Sequence, residues 1–185
     1  DVTSRKIKIM KEKIYFASGC FWCTEAVFQR IHGVVNVKPG YIDGLFRNPA
    51  YREVCTGRSG HAECVEIEYD TAAISVAELL EINFATHDPT QLNAQGNDKG
   101  TQYRSGIYCT TDEQKSEALK FIELLEMEKV FNKPIVTEIK MATEFFDAEL
   151  EHHNYYSIHL EQPYCQWVIN PKIEKIEKYF GDKLR

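Results

Sequence analysis

The chain has 185 residues, of which 43% are hydrophobic, 27% charged and 12% aromatic, with a net charge of −6 when histidine is neutral. This composition excludes a disordered, collagen-like or coiled-coil protein, and no apolar run approaches the roughly 18 residues of a membrane span. The acidic balance argues against nucleic acid or an anionic membrane as a partner, because binding either requires a basic face. We expect a single globular domain over 1–185 that works as an enzyme.

Six cysteines are too few for the disulfide scaffold of a small secreted protein. The N-terminus is charged throughout and has no apolar stretch typical of a signal peptide. We therefore predict a reducing, cytoplasmic location, in which a Cys-x-x-Cys motif is more often catalytic or metal-binding than structural. Residues 1–12 are expected to form a flexible N-terminal segment.

The first half of the chain predicts strands, helices and one long polar connection. In chain order these are a strand over 13–18, a helix over 20–31, a strand over 34–37, a connection over 39–60 and a strand over 61–70. Ser75 is predicted to cap the next helix. A connection as long as 39–60 is usually functional.

The second half begins with another long polar connection. Its predicted elements are a connection over 87–104, a strand over 105–109, a helix capped by Thr111 with Gln114, a strand over 134–140, and helices over 148–160 and 170–180. Strands and helices alternate irregularly. This order favours a two-layer α+β fold with helices packed on a mixed β-sheet over a regular doubly wound fold.

Cys20 is the first residue whose context indicates chemistry. It follows a strand and one glycine and opens a helix, a position where backbone N–H groups and the helix dipole lower a thiol pKa. Cys23 lies one turn further on, close enough to form a disulfide with Cys20. The alternatives are a pair of inert thiols or a zinc site. No second ligand pair with zinc spacing exists, so we expect no metal.

Glu63 is the next informative residue. Strand parity places it on the same face as Val65, Ile67 and Tyr69, where a carboxylate is costly unless protonated or paired. Desolvation raises a carboxyl pKa and keeps a general acid protonated at neutral pH. The alternative is that Glu63 lies at a frayed strand end and is solvated.

Five further residues have two interpretations each. Tyr51 and Tyr103 lie in the long connections, where phenols more often pack than catalyse, and Asp98 is placed as a turn carboxylate. Phe21 and Trp22 directly follow Cys20. They could belong to the core or form a pocket for a methyl-sized apolar group.

Four motifs together resemble a known family. They are GCFWCTEAVF at 19–28, NPAYREVCTGRSGHAE at 48–63, HDPTQLNAQGNDKGTQYRS at 87–105 and AELEHHNYY at 148–156. In this order and spacing they are similar to the peptide methionine sulfoxide reductases of the A type. The resemblance extends from about residue 14 to 165, and four motifs in register are highly specific.

The resemblance implies a two-layer α/β roll that reduces the S-epimer of methionine sulfoxide, free or in proteins, without a cofactor. It implies a role for each matching residue: Cys20 as nucleophile, Phe21 and Trp22 as the wall for the substrate methyl group, Glu63 as acid, Tyr51 and Tyr103 as ligands of the sulfoxide oxygen, and Asp98 as a polar helper. Attack would leave Cys20 as a sulfenic acid, which condenses readily with a second thiol.

The resolving thiol is left between two cysteines. Many family members end in a glycine-rich tail that carries this cysteine, whereas here the segment 163–185 replaces that tail. Cys165 follows an aromatic residue at the matching place and is the first choice, with Cys23 as the rival and a relay through both still open. The resemblance further implies thioredoxin as reductant, and we expect a monomer.

Two other classes of function compete with this interpretation. A thioredoxin-like disulfide oxidoreductase using Cys20 and Cys23 fits the local strand, Cys-x-x-Cys and helix. It also requires a proline opposite the cysteines, and Pro39 and Pro49 both lie in loop-like contexts. The third class is a non-catalytic binding module with inert cysteines.

Overall fold

The computed structural model describes residues 10–185. The first strand begins at Lys11, so residues 11 and 12 belong to the sheet and not to a flexible segment. Residues 1–9, the remainder of that expected segment, lie outside the described residues.

A six-stranded mixed sheet forms one layer, with strand order β7-β6-β1-β3-β2-β8. Its strands are β1 (Lys11–Ser18), β2 (Val34–Ile42), β3 (Ala62–Asp70), β6 (Ser105–Cys109), β7 (Glu138–Met141) and β8 (Phe146–Asp147). Two short strands, β4 (Ala94–Gln95) and β5 (Asp98–Lys99), pair separately. Only β6 and β7 run parallel; the other pairs in the large sheet are antiparallel.

Six α-helices complete the fold of residues 10–185: α1 (Phe21–Phe28), α2 (Tyr51–Cys55), α3 (Val76–Thr86), α4 (Asp112–Met127), α5 (Tyr155–Ile158) and α6 (Asn170–Tyr179). Alternation in β1 sends Ile14 and Phe16 into the main core beneath α1, α3 and α6, while Tyr15 and Ala17 join a smaller cluster on the opposite face. The predicted α+β class, with helices on a mixed sheet, is confirmed. Within residues 10–185, no helix is both long enough and apolar enough to cross a membrane.

The predicted helix caps are confirmed. Ser75 Oγ accepts the Glu78 N–H at 3.1 Å, and Thr111 Oγ1 accepts the Gln114 N–H at 3.1 Å. Gln114 Oε1 in turn accepts the N–H of Thr110 at 2.8 Å. These bonds satisfy amides that the first helical turn leaves without partners.

The predicted helix over 148–160 is wrong. The segment contains a 3-10 turn at Leu150–His152 and the single turn α5, separated by Asn154 in the left-handed region at φ 56°. Asparagine tolerates this conformation better than most residues, so the chain turns here instead of continuing as a helix. The break directs His152 and Tyr155 towards the same tryptophan, Trp22.

The last helix, α6, begins at Asn170 as its Asn-Pro signal predicts, but helical structure precedes it. A π-helical segment, Cys165–Ile169, runs directly into α6, whose second residue is Pro171. Proline lacks an N–H and crowds the carbonyl four residues before it, which a wider turn accommodates. The same widening buries Cys165 in the main core.

Candidate active site

A tight turn at Gly19 positions the first candidate residue. β1 ends at Ser18, and Gly19 adopts φ +90°, where a side chain would meet Gln95 at 2.7 Å. Only glycine fits both the conformation and the close approach. The turn places Cys20 at the cap of α1, as the sequence predicts.

The predicted lowering of the Cys20 pKa is wrong for the free protein. Burial raises the pKa of the Cys20 thiol well above its ordinary value, and the neighbouring Cys23 and Glu63 raise it further. Cys20 is only 8% exposed, and the first free amide of α1, that of Phe21, donates to Glu63 Oε1 at 3.2 Å. Desolvation therefore exceeds the dipole effect of a helix of eight residues.

Cys23 is the more acidic thiol of the pair. A hydrogen bond with Cys20 and the positive charge of Lys172 lower its pKa to about 7, although burial opposes this. The backbone turn is closed by Cys23 N–H donating to Cys20 O at 3.1 Å, so both side chains project from one helical turn. In the free protein, negative charge is held on Cys23 in preference to Cys20.

Glu63 is buried as strand parity predicts, and the frayed-end alternative is wrong. The residue is 1% exposed, in β3 between β1 and β2. Burial raises the pKa of its carboxyl to about 8, although the hydrogen bond from the Phe21 backbone N–H lowers it. The carboxyl is therefore protonated at neutral pH and available as a proton donor.

The two long connections each deliver a phenol to the vicinity of Glu63. Tyr51 begins α2 and Tyr103 ends a 3-10 turn at Thr101–Tyr103, and both are half-buried. Burial raises the pKa of each phenol, and the charge of Glu63 adds to the effect. Both hydroxyls thus remain protonated donors, close to each other and to the carboxyl.

Phe21 and Trp22 occupy different environments. Phe21 is fully buried and packs on Tyr41 and Tyr51, with ring centroids 5.7 and 6.4 Å away. Trp22 is half-buried and stacks on Tyr155 with ring centroids 3.7 Å apart. Trp22 therefore lies partly at the surface, whereas Phe21 packs within the core.

The interpretation of Asp98 as an isolated turn carboxylate is incomplete, because Tyr164 bonds to it. Tyr164 donates its hydroxyl to Asp98 Oδ2 at 2.7 Å, and Cys23 Sγ lies 3.6 Å from the same hydroxyl oxygen. Sequence reasoning missed Tyr164. The only signal was an aromatic residue directly before Cys165, next to the chosen resolving thiol.

His152 is a second residue that the sequence did not single out. It is buried, its Nδ1 accepts the Trp22 indole N–H at 3.2 Å, and its ring packs 4.3 Å from that of Tyr51. Burial lowers the pKa of His152, which keeps the imidazole neutral and able to accept this bond. His152 thus holds Trp22 and Tyr51 on one side of the site.

A cavity of about 290 Å³ opens beside the two thiols. Its lining includes Cys20, Cys23, Asp98, Tyr164 and Trp167. The Trp167 side chain is 79% exposed at its rim. Cys165 does not line this cavity and is 0% exposed.

One group within residues 10–185 has the composition of a metal site. Carboxylate oxygens of Glu149 and Glu151 and a ring nitrogen of His152 lie within 4.8 Å of one another. Both Glu149 oxygens already accept hydrogen bonds, from the Tyr41 hydroxyl at 3.1 Å and the Tyr51 amide at 3.1 Å. This occupancy is that of a structural carboxylate.

Sequence comparisons identify a protein family that matches nearly the whole chain. The family model described as peptide methionine sulfoxide reductase matches residues 12–184. The peptide methionine sulfoxide reductase MsrA of Deinococcus radiodurans is 53% identical over 175 residues, which cover 95% of this chain and 85% of that protein.

Solved structures of similar proteins have the same fold. Methionine sulfoxide reductase A of Corynebacterium diphtheriae superposes with a TM-score of 0.78 at 38% identity, covering 82% of this chain and 76% of that one. Mxr1 from Saccharomyces cerevisiae in reduced form gives 0.76 at 34% identity, covering 84% and 89%. The same yeast protein in complex with Trx2 gives 0.54 at 26% identity, covering 82% and 91%. From the match over 12–184 and these relatives, the chain belongs to the peptide methionine sulfoxide reductase family.

Proposed function

We propose that this protein reduces the S-epimer of methionine sulfoxide, free or in proteins, to methionine, with Cys20 as the nucleophile. The observation that carries the proposal is Glu63, a buried carboxyl protonated at neutral pH beside a pair of thiols. A sulfoxide oxygen leaves only when it is protonated and hydrogen-bonded as charge develops on it. Glu63 supplies the proton, and the Tyr51 and Tyr103 hydroxyls supply the hydrogen bonds.

In the first step, Cys20 Sγ attacks the sulfoxide sulfur. A sulfur–sulfur bond forms while Glu63 protonates the sulfoxide oxygen, and the thiol proton replaces the one that Glu63 gave up. As the oxygen passes from the substrate sulfur to Cys20 Sγ, the sulfur–oxygen bond of the substrate and the new sulfur–sulfur bond both break. Two electrons have then passed from the thiol sulfur to the sulfoxide sulfur, and the thioether of methionine is released. The oxygen is retained on Cys20 as a sulfenic acid. Trp22, with Phe21 behind it, walls the apolar methyl side, and Asp98 with Tyr164 forms the polar side.

Cys23 is the resolving thiol in this proposal, in place of Cys165. It lies one turn from Cys20, lines the same cavity and has a pKa lowered to about 7. Its sulfur attacks the Cys20 sulfenic acid, water leaves, and a Cys20–Cys23 disulfide forms. Cys165 is fully buried on the π-helical segment and would need that segment to open.

Thioredoxin regenerates the dithiol by disulfide exchange. Support comes from the yeast relative Mxr1, whose structure in complex with Trx2 has the same fold. The chain acts as a monomer in a reducing compartment such as the cytoplasm. A thioredoxin-like oxidoreductase is not favoured, because the family match spans nearly the whole chain and that interpretation leaves Glu63, Tyr51 and Tyr103 without roles.

The test is a single turnover without reductant. Reduced protein is mixed with S-methionine sulfoxide, methionine is quantified, and disulfides are mapped by mass spectrometry. We expect about one equivalent of methionine or more and a Cys20–Cys23 disulfide, with the R-epimer as the unreactive control. No methionine from either epimer would refute the reductase proposal, and a Cys20–Cys165 disulfide would refute the assignment of Cys23.

A further inference from the structure

A large groove lies outside the reaction site. It measures about 840 Å³ and lies between the end of α3, the connection after it, residues 130–133 and the start of α6. We call it the lysine groove because Lys133, Lys172 and Lys175 line it. Nothing in the proposed reaction uses Lys133 or Lys175.

The groove is basic within an acidic chain. Its three lysines face one aspartate, Asp88, whose carboxylate is occupied by the amide and hydroxyl of Thr90 at 2.9 and 2.6 Å. Burial lowers the pKa of His87, which also lines the groove, to about 4, so this histidine is neutral. The whole chain carries −6. A local excess of positive charge therefore lies within a molecule that repels anions elsewhere.

The lysines of the groove form no short ion pairs with carboxylates in the described part of the chain. None of the three lies within 4 Å of a carboxylate of residues 10–185. Lys172 is anchored through its Nζ, which donates to Thr86 O at 2.6 Å. Lys133 and Lys175 are exposed. Cations with no internal partner are available to an external carboxylate.

Apolar side chains form the rest of the groove. Leu92 is 72% and Val130 57% exposed, and Phe131 and Pro171 lie beside them. Apolar surface combined with ammonium groups suits an acidic peptide that also carries apolar side chains. A small inorganic anion would leave this apolar surface uncovered.

The groove adjoins the cavity beside the two thiols. Gln95 and Lys172 line both cavities. The Gln95 amide is fixed by two hydrogen bonds to the Asp88 backbone, at 3.0 and 2.9 Å, so the boundary between the cavities is rigid. An extended chain advances about 3.3 Å per residue, so residues two to four positions from a bound methionine sulfoxide lie about 7–13 Å away from it along the chain.

We infer that the lysine groove binds an acidic segment of the oxidised protein that flanks the methionine sulfoxide. The inference rests on the proposed reductase function, since it places the reacting side chain beside Cys20. It assigns to this chain a preference among protein substrates: methionine sulfoxides followed or preceded by acidic residues are reduced faster than those in neutral or basic segments.

The experiment compares peptides and lysine variants. Peptides of about ten residues carry one methionine sulfoxide and, on one side or the other, three glutamates, three glutamines or three lysines. The K133Q/K175Q variant removes the two exposed groove charges. K120Q/K178Q is the matched control, because it makes the same change of net charge at two exposed positions outside the groove. Free methionine sulfoxide serves as the internal standard.

We expect the parent protein to show about a fivefold higher kcat/KM for one glutamate peptide than for its glutamine counterpart at low salt. K133Q/K175Q should abolish this preference, the control should retain it, and turnover of free methionine sulfoxide should be the same in all three. The preference should fall at about 0.5 M salt, because the screening length is then only a few ångströms. Equal rates with all peptides, or a preference that survives in K133Q/K175Q, would overturn the inference.

A binding measurement separates this inference from the proposed function. Fluorescence anisotropy with the labelled, unoxidised glutamate peptide should show binding that weakens in K133Q/K175Q only. If no sulfoxide is reduced at all, the reductase proposal fails, while the anisotropy result still shows whether the lysine groove binds an acidic peptide. Sedimentation that reveals a dimer dissociated by K133Q/K175Q would assign the groove to a second copy of the chain and refute the peptide inference.

Discussion

Two regions build the site, and they hold their side chains by different means. Cys20 and Glu63 come from β1, α1 and β3, where strand pairing and a helical turn fix the backbone. The segment 148–170 supplies His152, Tyr155 and Tyr164 from turns and a π-helical stretch. Backbone hydrogen bonds position the functional side chains of the first region, whereas contacts between side chains position those of the second.

This difference separates two tasks. The regular region creates the perturbed pKa of Glu63, because burial within the sheet desolvates its carboxyl. The irregular region forms the aromatic wall through the Trp22–Tyr155 stack and the bond from Trp22 to His152. We therefore expect changes in the first region to abolish chemistry and changes in the second to reduce it.

Cys20→Ser should have the largest effect. A serine hydroxyl is a far weaker nucleophile than a thiol, so methionine formation in a single turnover should fall below detection. Cys55→Ser, at an exposed cysteine, is the control and should retain activity. Any methionine produced by Cys20→Ser would remove Cys20 from the mechanism.

Cys23→Ser and Cys165→Ser test the two regions directly, since each carries one candidate resolving thiol. Cys23→Ser should still form about one equivalent of methionine but lose turnover with thioredoxin, because the Cys20 sulfenic acid has no partner within reach. Cys165→Ser should retain turnover. Steady-state and single-turnover assays on both variants show which cysteine resolves the Cys20 sulfenic acid. If Cys165→Ser lost turnover and Cys23→Ser retained it, Cys165 would be the resolving thiol.

Glu63→Gln should slow the single-turnover rate by about a hundredfold or more, since the neutral glutamine amide cannot transfer a proton to the sulfoxide oxygen. The Glu63 carboxyl loses its proton as pH rises through about 8, so the rate ratio of parent to variant should fall above that pH. The ionised Glu63 also raises the Cys20 pKa in the parent alone, which lowers the ratio further in the same pH range. Glu66→Gln, at a buried carboxylate that binds Tyr15 instead, is the matched control.

Glu63→Gln should also change how the stability of the folded protein depends on pH. Because folding raises the Glu63 pKa, its contribution is most favourable below about 4.5 and is lost as pH rises towards 8. Glu63→Gln does not ionise, so its stability relative to the parent should increase over this interval. Thermal unfolding between pH 4.5 and 8.5 measures the difference, and parallel melting curves would contradict the buried acid.

Tyr164→Phe should lower the single-turnover rate less than Glu63→Gln does. It removes one hydroxyl that bonds Asp98 and contacts Cys23 but keeps the ring against Trp22, so a loss of about tenfold in single-turnover rate is expected. Tyr179→Phe, at an exposed phenol, should be neutral. A loss as large as that of Glu63→Gln would show that the irregular region takes part in the chemistry itself.

Much of the regular region was predictable because its signals are local. Period-two alternation over 61–70 placed Glu63 on the buried face, and the strand, glycine and cysteine order placed Cys20 at a helix start. The caps at Ser75 and Thr111 were predicted from three-residue spacings. The irregular region has no such periodicity, and its predicted helix over 148–160 was wrong at Asn154.

By itself, then, the sequence determined the positions of strands β1, β2, β3 and β6, the starts of helices α1, α3, α4 and α6, the buried face of Glu63 and the candidate residues of the site. Only the tertiary structure decided that Cys20 is desolvated and Cys23 more acidic, that Tyr164 bonds Asp98, and that Cys165 is buried. The physical reason is range. Backbone conformation follows from neighbours a few residues apart, whereas a pKa and an accessible sulfur depend on segments that meet only when the chain has folded.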